Sequence, residues 1–126
     1  MINFPKILEI SYALKDKGFT GRCFHTSFIL NKSKIISIGI NNYLKSHPKT
    51  KEFNYHPHAK VHSELAACLK LGLNSCEGLS IVNVRIDNNN KINTSKFCPG
   101  CENLIDYLNF KEAYFTNDLG NFERFR

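Results

Sequence analysis

The chain has 126 residues, with 17 Lys and Arg against 11 Asp and Glu for a formal charge of +6. That length supports one compact domain over residues 1–126 and leaves no room for a second sizeable core. With 42% hydrophobic and 22% charged residues, and no apolar run near the roughly 18 residues of a membrane span, the sequence excludes wholesale disorder, coiled-coil, collagen-like and membrane-spanning architectures.

Thirteen of the cations are lysines, scattered rather than run together, so most of the charge reads as a solvated face that still admits anionic partners such as nucleotides. The start, Met1-Ile2-Asn3-Phe4-Pro5-Lys6, lacks the charged-then-apolar order of a secretory signal, and a cytoplasmic protein is expected. Five cysteines, at 23, 68, 76, 98 and 101, are an odd set without an export signal, which argues against a disulfide framework.

Phe4 to Lys17 places Phe4, Ile7, Leu8, Ile10 and Leu14 at three- and four-residue steps, predicting an amphipathic helix that opens on Pro5 and stops at Gly18. Two apolar runs, Cys23 to Leu30 and Ile35 to Ile40, flank a polar turn and predict an antiparallel hairpin. From Asn41 to Val61 the chain is polar, rich in Lys and His, and reads as a long functional loop. His62 to Leu71 reads as a helix ended near Gly72, and Leu79 to Ile86 as a strand with buried alternate positions. Asn88-Asn89-Asn90 is a turn, Pro99 to Leu108 a third helix, and Ala113–Thr116 and Phe122–Phe125 a closing pair of antiparallel strands. The predicted class is α/β, a three-layer α/β/α arrangement around a mixed five-stranded sheet.

Chemistry concentrates at two helix starts. His62-Ser63-Glu64 opens one, and Cys98-Pro99-Gly100-Cys101 opens the next, 36 residues after His62. One imidazole and two thiolates suit tetrahedral Zn²⁺ and leave a fourth corner for water, whose pKa zinc lowers toward neutrality. A helix N-terminus also favours deprotonated sulfur. Glu64, two residues past His62, leaves the helix in another direction and can sit beside that water as a proton acceptor and donor.

At these residues the sequence resembles the cytidine deaminase-like superfamily, whose signature is H-x-E followed by P-C-x-x-C, with the Glu outside the metal shell. The resemblance implies a central five-stranded sheet with helices on both faces. It also implies zinc held by His62, Cys98 and Cys101, with Glu64 as proton shuttle. It further implies hydrolytic deamination of a cytosine-bearing nucleoside or nucleotide to the uracil form, and homo-oligomeric assembly. Asn41, at the end of the second strand, looks like the family residue that touches the substrate sugar. Ser63 and Phe115 complete the expected substrate contacts with Phe97, which stands where the signature has Pro and whose ring can pack in the core or stack on a base. Tyr114 and Asp118 lie in a region that borders the substrate in relatives. The closing antiparallel strands match the free-nucleoside branch more than the branch acting on single-stranded DNA or RNA, the alternative substrate. For that polymer, Tyr43, Phe53 and Tyr55 interleaved with Lys45, Lys49 and Lys51 would supply stacking and charge.

Three rivals use the same residues. His58, four before His62, could close a structural Cys2His2 shell. The C-x-x-C pair alone could be a redox dithiol. A zinc-stabilised binding module without catalysis is the third. Cys23, Cys68 and Cys76 read as apolar fillers, and His25, His47, His56 and His58 as solvent-exposed or lining the loop over the pocket, with a second metal site among them as the alternative.

Overall fold

The computed structural model describes residues 1–17, 19, 23–41, 62–72 and 74–126. Most of the Asn41-to-Val61 segment lies outside the described residues, and with it fall His47, His56, His58 and the aromatic and lysine side chains named above. Among the described residues there are three helices and six strands. They are α1 (Phe4–Lys15), β1 (Phe24–Asn31), β2 (Lys34–Ile40), α2 (Ser63–Lys70), β3 (Ser80–Ile86), β4 (Ile92–Asn93), α3 (Pro99–Leu108), β5 (Glu112–Thr116) and β6 (Phe122–Arg124).

The fold is α/β with a mixed sheet ordered β2-β1-β3-β5-β6, and β4 pairs with β3 outside that path. The β3–β5 pairing is parallel and the others are antiparallel, β5–β6 included. Six strands replace the five read from sequence. The extra one, β4, is two residues long, too short to leave a period in the sequence, and lies beside Arg85 and Ile86. The first helix also ends earlier than predicted, at Lys15 with Asp16 as its cap.

Strand alternation divides the core in two. Val82, Val84 and Ile86 of β3 join Phe24, Phe28 and Leu30 of β1 and Ile7 of α1 in one cluster. Ile81 and Ile29 join Leu65, Ala67 and Cys68 of α2 and Leu104, Ile105 and Leu108 of α3 in the other. With residues of α1 packed against one side and of α2 and α3 against the other, β3 is buried at six of its seven positions rather than at alternate ones. A bulge in the hairpin pairs Ile29 with Ser37 and Leu30 with Ile35, so Ile36 is the unpaired residue and is 38% exposed.

The α2 helix lies close on the hairpin because Gly39 has no side chain. A Cβ there would fall on the Ser63 carbonyl oxygen and the Ala67 amide nitrogen, and 2.9 Å from the Ala67 Cα. Ser37 Oγ completes the contact by donating to the Ala67 carbonyl at 2.8 Å. Gly39→Ala is therefore expected to cost about 1–3 kcal/mol or more, because backbone must move rather than a side-chain tip. Denaturant unfolding of the variant checks this, and an unchanged midpoint would contradict the close packing.

Candidate metal centre

His62 is the N-cap of α2 and Cys98 the N-cap of α3. The His62 backbone is extended, and its side chain makes no capping hydrogen bond. At α3 the Cys98 sulfur takes the capping role, accepting the Cys101 N–H at 3.4 Å, and Pro99 follows where a helix can spare an amide hydrogen. Cys101, fully buried, lies in the first turn.

The two helix starts converge. His62 Nδ1 lies 3.5 Å from Cys98 Sγ and 3.7 Å from Cys101 Sγ. The ligand atoms of all three residues lie within 4.8 Å of one another. A tetrahedral zinc with Zn–S of about 2.3 Å and Zn–N of about 2.0–2.1 Å requires an S···N separation of about 3.6 Å. The donor set and the two S···N distances fit such an ion, and the trio could hold an N/S-preferring divalent metal.

The electrostatics favour ligation. The neighbouring Cys101 thiol, then the His62 ring and the Cys101 N–H, hold the Cys98 thiol down at about 4 despite burial. Hydrogen bonding to Cys98, with the charges of Glu64 and Cys98, raises His62 above its ordinary value against the opposing effect of burial. Cys68 differs: burial, with Cys76 and Glu64 nearby, pushes its thiol far up, and burial also raises Cys76. A depressed pKa leaves the thiolate populated above about 4, so metal-free protein at pH 6 is expected to react with iodoacetamide first at Cys98 and last at Cys68. Peptide mapping after timed alkylation reads the order, and equal labelling of the two would contradict it.

Beside the trio sits Glu64, 4% exposed in the first turn of α2. Its Oε1 accepts from Ser63 Oγ at 2.9 Å, and its Oε2 accepts from Asn83 Nδ2 at 3.2 Å. Ser63 is fully buried and also lies 2.7 Å from Ser27 Oγ. The serine hydroxyl predicted to meet substrate is thus engaged with the carboxylate and the sheet.

The other residues expected to touch substrate are spread more widely. Phe97 is 3% exposed, packs in the cluster under α2 and α3, and meets Phe115 edge-on at 6.2 Å and Phe125 at 5.5 Å. Of the two roles open to its ring, the structure gives it core packing. Phe115, 8% exposed, belongs to the same cluster. Asn41 spans the start of β1, accepting from the His25 N–H at 3.0 Å and donating to the Cys23 carbonyl at 3.1 Å. Tyr114 lies on the opposite, α1 face, against Phe4 and bonded to Glu112. Asp118 accepts the Thr94 N–H.

Several neighbours were not singled out in the sequence. Ser27 and Asn83 pair across β1 and β3, with Ser27 Oγ donating to Asn83 Oδ1 at 2.7 Å. His25 pairs opposite Arg85 two rungs further on. Burial, then Arg85 and His62, lowers His25 to about 4, so it is a neutral ring inside the site's electrostatic reach rather than an exposed one. Arg85 Nη2 donates to Cys23 Sγ at 3.1 Å, while its Nε is buried with no hydrogen-bond partner among the described residues. The readable signal was a set of polar residues, Ser27, Asn83 and Arg85, interrupting apolar strands.

No protein-family model matches the chain, and no curated protein matches it. No helix among the described residues is long and apolar enough to cross a membrane.

Proposed function

We propose that the protein is a zinc-dependent hydrolytic deaminase that converts a cytosine-bearing nucleotide to its uracil form. The observation that carries this reading is the pairing of two things. One is a His-Cys-Cys trio at tetrahedral spacing, and the other is a buried carboxylate, Glu64, that no structural metal site requires. Zinc, held by His62, Cys98 and Cys101, would supply hydroxide from water at neutral pH.

Glu64 would take one proton from that water and place it on the ring nitrogen N3, then carry the proton left on the incoming oxygen to the departing amine. The C4–O bond forms, the C4–N bond breaks, and one water is consumed for each ammonia released. Ser63 and Asn83 each donate a hydrogen bond to this carboxylate. The resemblance of His62-Ser63-Glu64 and Cys98-Pro99-Gly100-Cys101 to the cytidine deaminase-like signature supports the assignment, as does the presence of helices on both faces of the sheet. The antiparallel β5–β6 pair supports a small substrate over a polymer.

Arg85 supports a phosphate-bearing substrate. Its guanidinium lies on the sheet face that carries Asn83 and His25, and an unsatisfied buried N–H seeks an acceptor. The test is ammonia release by zinc-loaded protein from cytidine, deoxycytidine, their monophosphates and a short cytosine oligonucleotide. Release from a monophosphate, faster than from its nucleoside, is expected. No release from any of them would overturn the reading.

A further inference from the structure

Asn83 is an anomaly in its strand. It sits mid-way along Ser-Ile-Val-Asn-Val-Arg-Ile, 1% exposed, with the fully buried Ile81, Val82 and Val84 around it. An apolar residue would fill that place without the cost of desolvating an amide. The amide is nevertheless fully used. Oδ1 accepts from Ser27 Oγ at 2.7 Å and lies 3.3 Å from Ser63 Oγ, whose one proton goes to Glu64, and Nδ2 donates to Glu64 Oε2 at 3.2 Å and to the Ser95 carbonyl at 2.8 Å.

These partners allow one orientation. Turned over, the amide would set its oxygen against a carboxylate oxygen and a carbonyl oxygen, leaving two acceptors facing a third. The Ser95 end is anchored independently. Its N–H donates to the Thr116 carbonyl at 2.8 Å, and its Oγ accepts the Thr116 N–H at 2.8 Å and bonds to the Asn83 carbonyl at 2.8 Å. Ser95 lies three residues before Cys98. One side chain therefore ties the carboxylate at the start of α2 to the segment that delivers the thiolates at the start of α3.

We propose that Asn83 is a positioning residue that fixes the Glu64 carboxylate relative to the Cys98–Cys101 pair by bridging Glu64 Oε2 and the Ser95 carbonyl. The inference rests on the deaminase reading, since it is the proton shuttle whose aim matters. An amide that held only the fold would be needed equally for stability and for turnover. An amide that aims the shuttle is needed for turnover beyond its share of stability.

The test compares wild type with Asn83→Ala for zinc content, kcat, KM and, without metal, the side-chain amide NMR signals of Asn83. Asn83→Ala is expected to retain zinc and substrate affinity while kcat falls about 100-fold, the scale of an ångström-sized misplacement of a catalytic group. In metal-free protein, Glu64→Gln is expected to shift the Asn83 Nδ2 proton signals, a readout that survives even if Asn83→Ala does not fold. An active wild type whose kcat changes by less than about threefold in Asn83→Ala, with zinc retained, overturns this inference alone. So does an Asn83 amide signal indifferent to Glu64→Gln. A wild type inactive on every cytosine compound overturns the deaminase reading and this inference with it.

Discussion

Glu64→Gln is expected to leave zinc bound in the amount held by wild type and to lower kcat by about 10²–10⁴-fold, the range over which a positioned general acid–base acts. The substitution keeps the shape of a side chain that is 4% exposed, so the fold should tolerate it. The hydrogen bonds can also adapt. Asn83 Nδ2 can only donate and thus selects the glutamine oxygen, while the Ser63 hydroxyl can turn to accept from the new amide nitrogen. What the amide cannot do is take a proton from water and hand it on. Because Glu64 is not among the residues whose ligand atoms form the trio, metal content and turnover should separate. Ammonia release together with zinc analysis on the same preparation reads both. Retained turnover in Glu64→Gln would remove the carboxylate from the chemistry and with it the proton-shuttle reading of the site.

The parts of the fold that were legible in the sequence are those with a local period. Leu65, Ala66, Leu69 and Leu71, with the helix formers Glu64 and Lys70, place α2, and Cys98 followed by Pro99 opens α3, which runs from Pro99 to Leu108. The hairpin was legible because its two-residue connection, Lys32-Ser33, is polar between apolar runs, with Lys32 at a φ of 58°. The short β4 was not, because what secures it is not local. Asn93 Nδ2 donates to Asp87, and the Asn93 carbonyl accepts from Thr116 Oγ1, a residue 23 positions away.

The site divides in the same manner. His62, Cys98 and Cys101 were legible as a group because ligand chemistry fixes their type and helix starts fix their direction. Ser27, Asn83 and Ser95 were not, because each becomes significant only when β1, β3 and the approach to α3 meet. Phe97 shows the limit of reading a position by its motif. The signature's Pro slot suggests a residue at the pocket, yet the ring is turned into the core by Phe115 and Phe125, partners that no spacing in the sequence connects to it.

Removing the metal should cost the protein a large share of its stability. The three ligand side chains come from the N-terminal ends of two helices, with His62 and Cys101 39 positions apart, and in the unfolded chain nothing holds these ends together. An ion that binds the folded chain alone stabilises it by about 2.7 kcal/mol when its free concentration is a hundred times Kd. For a domain of this size that corresponds to roughly 10 °C in unfolding temperature. Calorimetry with and without a chelator is expected to show that drop in wild type and no drop in Cys101→Ser, which lacks one sulfur. Cys68→Ala supplies the control. Cys68 is equally buried in the same cluster but is not one of the three ligand residues, so its variant should unfold at a lower temperature and still respond to the chelator. A wild-type curve unmoved by chelation would mean that the trio is held by its own S···N hydrogen bonds, and the metal centre would have to be abandoned along with the chemistry built on it.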